Sequence, residues 1–110
     1  MEMNEYQKLA TRTAQFDEKV LHPLAGVTLG LTGETGEIAE KVKKLFRNDK
    51  GLVSDEKRED LKKELGDVLW YLSQFARLID VSLEDVATAN IKKLESRLER
   101  GVIKSEGDNR

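Results

Sequence analysis

Between Ser54 and Ile79 the chain places apolar residues at Leu61, Leu65, Val68, Leu72, Phe75, Ala76 and Ile79. A strand, which turns alternate residues to opposite faces, cannot gather them on one side, but a 3.6-residue period can. The spacing predicts a long amphipathic helix with Ser54 as N-cap and Asp55 and Glu56 complementing the dipole of its first turn. One helix buries only a stripe of itself, so others must pack against it. A second stripe, Val27, Leu31, Ile38, Val42 and Leu45, predicts a helix over about Leu24 to Phe46. A third, Leu83, Val86, Ala87, Ile91, Leu94 and Leu98, predicts one from Ser82 to Gly101. Tyr6, Leu9, Ala10, Thr13 and Phe16 trace a face of a first helix over about residues 4 to 19, with Asn4 and Gln7 resembling a capping pair. His22-Pro23 separates the first two helices, and Asn48, Asp49 and Gly51 supply the chemistry of the next turn. The expected architecture is all-α: a helical bundle of about four helices with a central antiparallel hairpin. Residues 1–101 form one domain in this reading and residues 102–110 a flexible tail.

Composition narrows the function classes. With 36% charged and 38% hydrophobic residues and one proline in 110 residues, the chain favours long amphipathic helices over short strands. A net charge of -2 provides no field for a nucleic-acid backbone, so polymeric DNA or RNA is not an expected partner. No cysteine is present, which removes thiolate metal sites and Cys nucleophiles, and one histidine, His22, limits zinc; beside Pro23 it is expected at the surface. No apolar run of about 18 residues and no basic leader followed by an apolar core occur, so neither a membrane partner nor secretion is expected, and the cytoplasm is the default location.

Chemistry concentrates in two acidic motifs, Glu34-x-x-Glu37 and Glu64-x-x-Asp67. If Lys50 and Gly51 mark the middle of the hairpin, Glu37 lies as far before the turn as Glu64 lies after it, and Glu34 matches Asp67. Residues three apart share a helical face, so four carboxylates converge in this reading. Such a cluster repels itself unless protons or a cation neutralise it, and oxygen-only ligands favour a hard ion. Magnesium combines a few carboxylates with waters and phosphates, which makes a phosphorylated ligand the natural complement and phosphoanhydride hydrolysis the expected reaction. A lone E-x-x-E is usually a solvated face; the mirrored register at the edges of two apolar stripes argues against that here. Glu40, Lys41, Lys43 and Lys44 are read as solvated neighbours.

Other positions keep two readings. Gly26, Gly30, Gly33 and Gly36 each cost a helix about 1 kcal/mol relative to alanine, which close packing of another helix or close approach of a ligand would offset. They form no phosphate-binding loop. Asn90, near the centre of the stripe of the fourth helix, between Leu83 and Leu94, is either a satisfied core amide or a nucleotide contact, with Lys93 or Arg97 meeting phosphate. Tyr71 shares a ridge with Glu64 and Asp67 and either fills the core edge or borders the site. Tyr6 and Phe16 are expected in the core, with a base pocket as the alternative. Trp70 projects away from the stripe and requires a second partner.

The segments Gly30-Leu31-Thr32-Gly33-Glu34-Thr35-Gly36-Glu37, Glu64-Leu65-Gly66-Asp67-Val68-Leu69-Trp70-Tyr71 and Asn90-x-x-Lys93-Leu94-x-x-Arg97 resemble MazG-like nucleoside triphosphate pyrophosphohydrolases. These all-α enzymes are similar in turn to dimeric dUTPases and dCTPases. The resemblance covers nearly the whole chain. It implies Mg²⁺, with Mn²⁺ as a substitute, on Glu34, Glu37, Glu64 and Asp67. It also implies cleavage of the α-β phosphoanhydride of NTPs or dNTPs to monophosphate and pyrophosphate, with Glu34 or Glu37 acting on the attacking water. Tyr71, Asn90, Lys93 and Arg97 become candidate substrate-binding residues. Some relatives carry an additional acid immediately before the first motif; Gly33 stands there in this chain, so no role transfers to it. The length holds one MazG-like unit. The related enzymes associate so that neighbouring chains complete the pockets, which implies a homodimer or homotetramer and gives Trp70 a destination. Broad NTP or dNTP hydrolysis with a nucleotide-pool housecleaning role is preferred, because no base-reading residue is identifiable. The alternatives are a base-specific dUTPase- or dCTPase-type enzyme and a non-catalytic, cation-binding helical interaction module. A Nudix enzyme is disfavoured, since no R-E-x-x-E-E continuation follows Gly36-Glu37.

Overall fold

A computed structural model describes residues 1–110 as four helices without strands: α1 (Met3–Thr11), α2 (Pro23–Asp49), α3 (Asp55–Leu78) and α4 (Leu83–Glu99). Helices α2 and α3 form the central antiparallel hairpin, and α1 and α4 pack against α3 and each other. The hairpin turns where the sequence places it. Lys50 takes the left-handed conformation (φ 56°), and Gly51, which follows at φ 78°, donates its N–H to the Leu45 carbonyl at 3.0 Å. Such a left-handed exit closes the orphan carbonyls of a helix end and favours glycine, and the Phe46 ring against Gly51 leaves no room for a Cβ. Ser54 Oγ accepts from Lys57 N at 3.2 Å and Ser82 Oγ from Asp85 N at 3.1 Å, so α3 and α4 start at their expected caps. Pro23 occupies the first turn of α2, where its missing N–H costs nothing, and His22 Nδ1 accepts from Leu24 N at 3.1 Å as the cap.

The first helix departs from expectation. It ends at Thr11 rather than near residue 19, and Asn4 and Gln7 do not cap it. They reach the start of α4 instead: Asn4 Oδ1 accepts from Glu84 N (3.2 Å), and Gln7 Oε1 accepts from Leu83 N (3.0 Å). Gln7 Nε2 also donates to the carbonyls of Ser73 and Val81, each at 3.1 Å. One helix thus satisfies donors orphaned at the N-terminus of another, a partnership that periodicity within α1 cannot reveal. The fixed contact between α1 and α3 is polar as well. Gln74, fully buried, donates to Thr11 Oγ1 and Ser73 Oγ, each at 3.2 Å, and accepts from Arg77 Nε at 2.8 Å.

Because α1 stops early, Thr13 and Phe16 lie in the connection to α2, and this segment covers Trp70. The indole Nε1 donates to Thr13 Oγ1 at 2.8 Å, its ring meets Tyr71 edge-on at 5.1 Å, and Phe16 lies 6.5 Å away. Trp70 therefore has its second partner within the chain, and it supplies no argument for association. The apolar stripes, by contrast, are only half used. Leu65 and Leu72 on α3, Ile79 at its C-cap, and Val86, Ile91, Leu94 and Leu98 on α4 are exposed, and α4 makes no contact with α2.

The tail expected to be loose turns back on α4. Arg97, only 4% exposed, donates from Nη2 to the Asp108 carbonyl at 2.6 Å, and Val102 N donates to the Arg97 carbonyl at 2.9 Å.

A carboxylate cluster on the helix hairpin

The acids of both motifs meet across the hairpin. Glu34, Glu37 and Glu64 each offer a carboxylate oxygen within 4.8 Å of the others. Asp67 stands outside this triad. It lines, with Glu34, an adjoining cavity of about 370 Å³ whose other walls are Thr13, Trp70 and Tyr71. The mirrored register thus gives a three-carboxylate centre with Asp67 one turn along α3, which advances about 4.5 Å for three residues.

Charge is distributed unevenly. Burial, followed by the charges of Asp67, Glu37 and Glu64, raises the Glu34 carboxyl above the ordinary glutamate range. Glu64 is held below that range chiefly by its hydrogen bond from Lys41, whose Nζ lies 2.8 Å from Oε1 and 3.5 Å from Asp60 Oδ2. The same bond raises Lys41. Glu64 is nearly buried, and no N–H or hydroxyl group reaches its second oxygen, Oε2, in an environment shared with the Glu34 and Glu37 carboxyls. An unpaired buried carboxylate oxygen is costly, and it faces a cluster of its own charge. A divalent cation among the three glutamates would satisfy that oxygen and cancel the repulsion, so the donor set fits a hard, oxygen-liganded ion.

Lys41 and Tyr6 also border this region. Lys41, expected from the sequence to be a solvated neighbour, is the cluster's internal counter-charge; its position seven residues after Glu34, on the same helical face, is the signal that marks it. Tyr6 of α1 is close enough for Asp67 to add to the effect of burial in raising its phenol. Tyr71 lines the cavity beside Glu34 and Asp67 and is packed over Gly30 so tightly that a Cβ there would overlap its ring. Gly30 is the helix glycine that packing explains. Gly33 and Gly36 have nothing within 4 Å of an added Cβ.

Asn90, Lys93 and Arg97 are not brought to the cluster within one chain. Asn90 is exposed rather than central to a buried stripe, because no helix covers that face of α4. Lys93 is exposed too, and the Arg97 guanidinium is enclosed by residues 107 and 108, its Nε buried without a partner.

The chain is 47% identical over 114 residues to the Gene 37 protein of Mycobacterium phage L5, covering 100% of both chains. It is 34% identical over 94 residues to the uncharacterized protein YpjD of Bacillus subtilis (strain 168), covering 84% of this chain and 83% of that one. No solved structure gave a significant match. The family model for the MazG nucleotide pyrophosphohydrolase domain matches residues 24–102, a span that holds the hairpin, its carboxylate cluster and α4; the chain belongs to the MazG nucleotide pyrophosphohydrolase family.

Proposed function

We propose that the chain is a Mg²⁺-dependent pyrophosphohydrolase that cleaves the α-β phosphoanhydride of NTPs or dNTPs, releasing a nucleoside monophosphate and pyrophosphate. The observation that carries this reading is the enclosed, unpartnered Oε2 of Glu64 inside a triad of glutamates, in a chain of this family. Glu34, Glu37 and Glu64, with Asp67 alongside, would hold the ion, for which Mn²⁺ is the expected substitute. A divalent ion bound there supplies charge shielding for the phosphates and acidifies water. The residues of the chain do the rest. Lys41 fixes the Glu64 carboxylate in place through Oε1, leaving Oε2 for the centre. Glu34 or Glu37 orients the attacking water and accepts its proton. The water oxygen bonds to the α-phosphorus as the bond from that phosphorus to the bridging oxygen breaks, and the electron pair leaves on pyrophosphate. Thr13, Trp70 and Tyr71 wall the cavity beside Glu34 and Asp67 and offer aromatic surface to the nucleoside. Asn90 and Lys93 would serve a substrate only across a subunit boundary, with α4 of a second copy brought to the hairpin, whereas the tail encloses Arg97. A homodimer or homotetramer provides that, and the bare stripes of α3 and α4 support it. Acting on many bases, such an enzyme fits housecleaning of the nucleotide pool in the cytoplasm.

Incubation with a panel of NTPs and dNTPs and Mg²⁺, followed by product separation, tests the reading. Monophosphate and pyrophosphate are expected, and both are lost in Glu37→Gln and Asp67→Asn. Direct release of orthophosphate would move the cut to the terminal phosphate. Inactivity across the panel would leave a cation-binding interaction module.

A further inference from the structure

Beyond the carboxylates, toward the turn of the hairpin, lies a hollow of about 190 Å³ lined by Lys41, Lys44, Leu45, Lys57, Asp60 and Leu61. Water occupies about 30 Å³ per molecule in the liquid, so the space admits an anion of several heavy atoms. Three ammonium groups and one carboxylate line it. Lys41 is committed: its short bond to Glu64 joins the hollow to the carboxylate triad. Lys44 and Lys57 are held loosely, at 3.8 Å from Glu40 and 3.6 Å from Asp49, with nearly half of each side chain exposed. Surface pairs of that kind contribute about 0–1 kcal/mol, so a multiply charged phosphate can displace them. About 10 Å of helix separates Glu37 from Lys44, and side chains on α2 lean toward its N-terminus, which shortens the reach. The hairpin is therefore polarised. The aromatic cavity of Thr13, Trp70 and Tyr71 borders the acids at one end, and the lysine hollow borders them at the other.

We propose that the hollow of Lys41, Lys44 and Lys57 is an anion subsite for the pyrophosphate portion of the substrate, receiving its β- and γ-phosphates and holding pyrophosphate after cleavage. The identity of the anion rests on the pyrophosphohydrolase reading, whereas the subsite rests on the lysines. It places the nucleoside toward Trp70 and Tyr71 and the leaving group toward the turn.

The test titrates inorganic pyrophosphate and, separately, dAMP into the full chain with Mg²⁺ present, comparing wild type with Lys44→Gln/Lys57→Gln. Loss of two charge-assisted contacts weakens pyrophosphate binding by about tenfold or more, while dAMP, which lacks the β- and γ-phosphates, changes by less than about twofold. Lys44→Arg/Lys57→Arg retains pyrophosphate binding. Unchanged pyrophosphate affinity in the Gln double variant overturns the subsite, as does a parallel loss of dAMP affinity, which marks general damage. Lysine-dependent pyrophosphate binding in a chain that hydrolyses no nucleotide overturns the hydrolase reading and leaves the subsite standing. Hydrolysis with lysine-independent pyrophosphate binding does the reverse.

Discussion

At Glu64 a single carboxylate faces two places at once, the Lys41 ammonium on one oxygen and the glutamate centre on the other. Glu64→Gln keeps the shape and removes the charge that a cation needs, so pyrophosphate release is expected to fall by about a hundredfold or more in steady-state assays. Asp60→Asn, which touches only the outer, 3.5 Å contact of Lys41, is expected to lose far less. The acids also set a pH dependence of opposite signs. Glu34, raised in the folded chain, contributes stability that is complete below its unfolded value and is lost as pH rises through its folded value. Glu64, lowered, contributes stability above its unfolded value that is lost as pH falls through its folded value. Glu34→Gln separates them. Without divalent ions, the variant gains stability relative to wild type as pH rises past the glutamate range, and added Mg²⁺ reverses the ranking; thermal unfolding across pH, with and without Mg²⁺, measures both effects.

At the scale of helices, α2 carries its glycines for different reasons. Gly30→Ala must displace the Tyr71 ring, and the clash outweighs the gain of about 1 kcal/mol in helix propensity, so urea unfolding is expected to show destabilisation and activity to fall with Tyr71. Gly36→Ala meets open space and is expected to leave the stability of the isolated chain unchanged or raise it by up to about 1 kcal/mol. The sequence alone revealed the hairpin, its turn at Lys50-Gly51, two serine caps and the meeting of Glu34, Glu37 and Glu64, because all of these follow from periodicity and local turn chemistry. Long-range polar partnerships were invisible. Asn4 and Gln7 looked like a local cap because their spacing is local, yet their partners lie some 80 residues away at Leu83 and Glu84. Thr13 and Phe16 fitted a helical face, but the connection they belong to closes over Trp70 instead. The sequence does not disclose the role of Lys41 for a related reason: a lysine on a charged helix is usually solvated, and only the opposing helix shows which acid it meets.

The whole molecule has more surface than a chain of its size should. A compact 12.5 kDa monomer exposes about 6,200 Å² and a compact domain of this length has a radius of gyration near 13 Å. This chain exposes 8447 Å² and has a radius of gyration of 17.0 Å. Just 10 of its 110 residues are buried, and three of those, Glu64, Gln74 and Arg97, carry polar side chains too large to stand in for a hydrophobic core. The excess of roughly 2,300 Å² is of the order that an obligate subunit interface removes. Its apolar part is organised, since Leu65, Leu72 and Ile79 recur every seven residues along α3 and its C-cap, and Leu94 and Leu98 continue a stripe on α4. A second copy of this chain is the occupant that such self-matching helical seams favour, and it would also bring Asn90 and Lys93 toward a neighbouring hairpin. Sedimentation at micromolar concentration is therefore expected to give a dimer or tetramer, with a melting temperature that rises with protein concentration. Leu72→Glu and Leu94→Glu place charge in the seam and are expected to yield a less stable monomer that still lacks nucleotide hydrolysis when Mg²⁺ is saturating. A wild-type chain that sediments as a monomer at every concentration, with a melting temperature independent of concentration, would show that these stripes face water and that one hairpin must work alone.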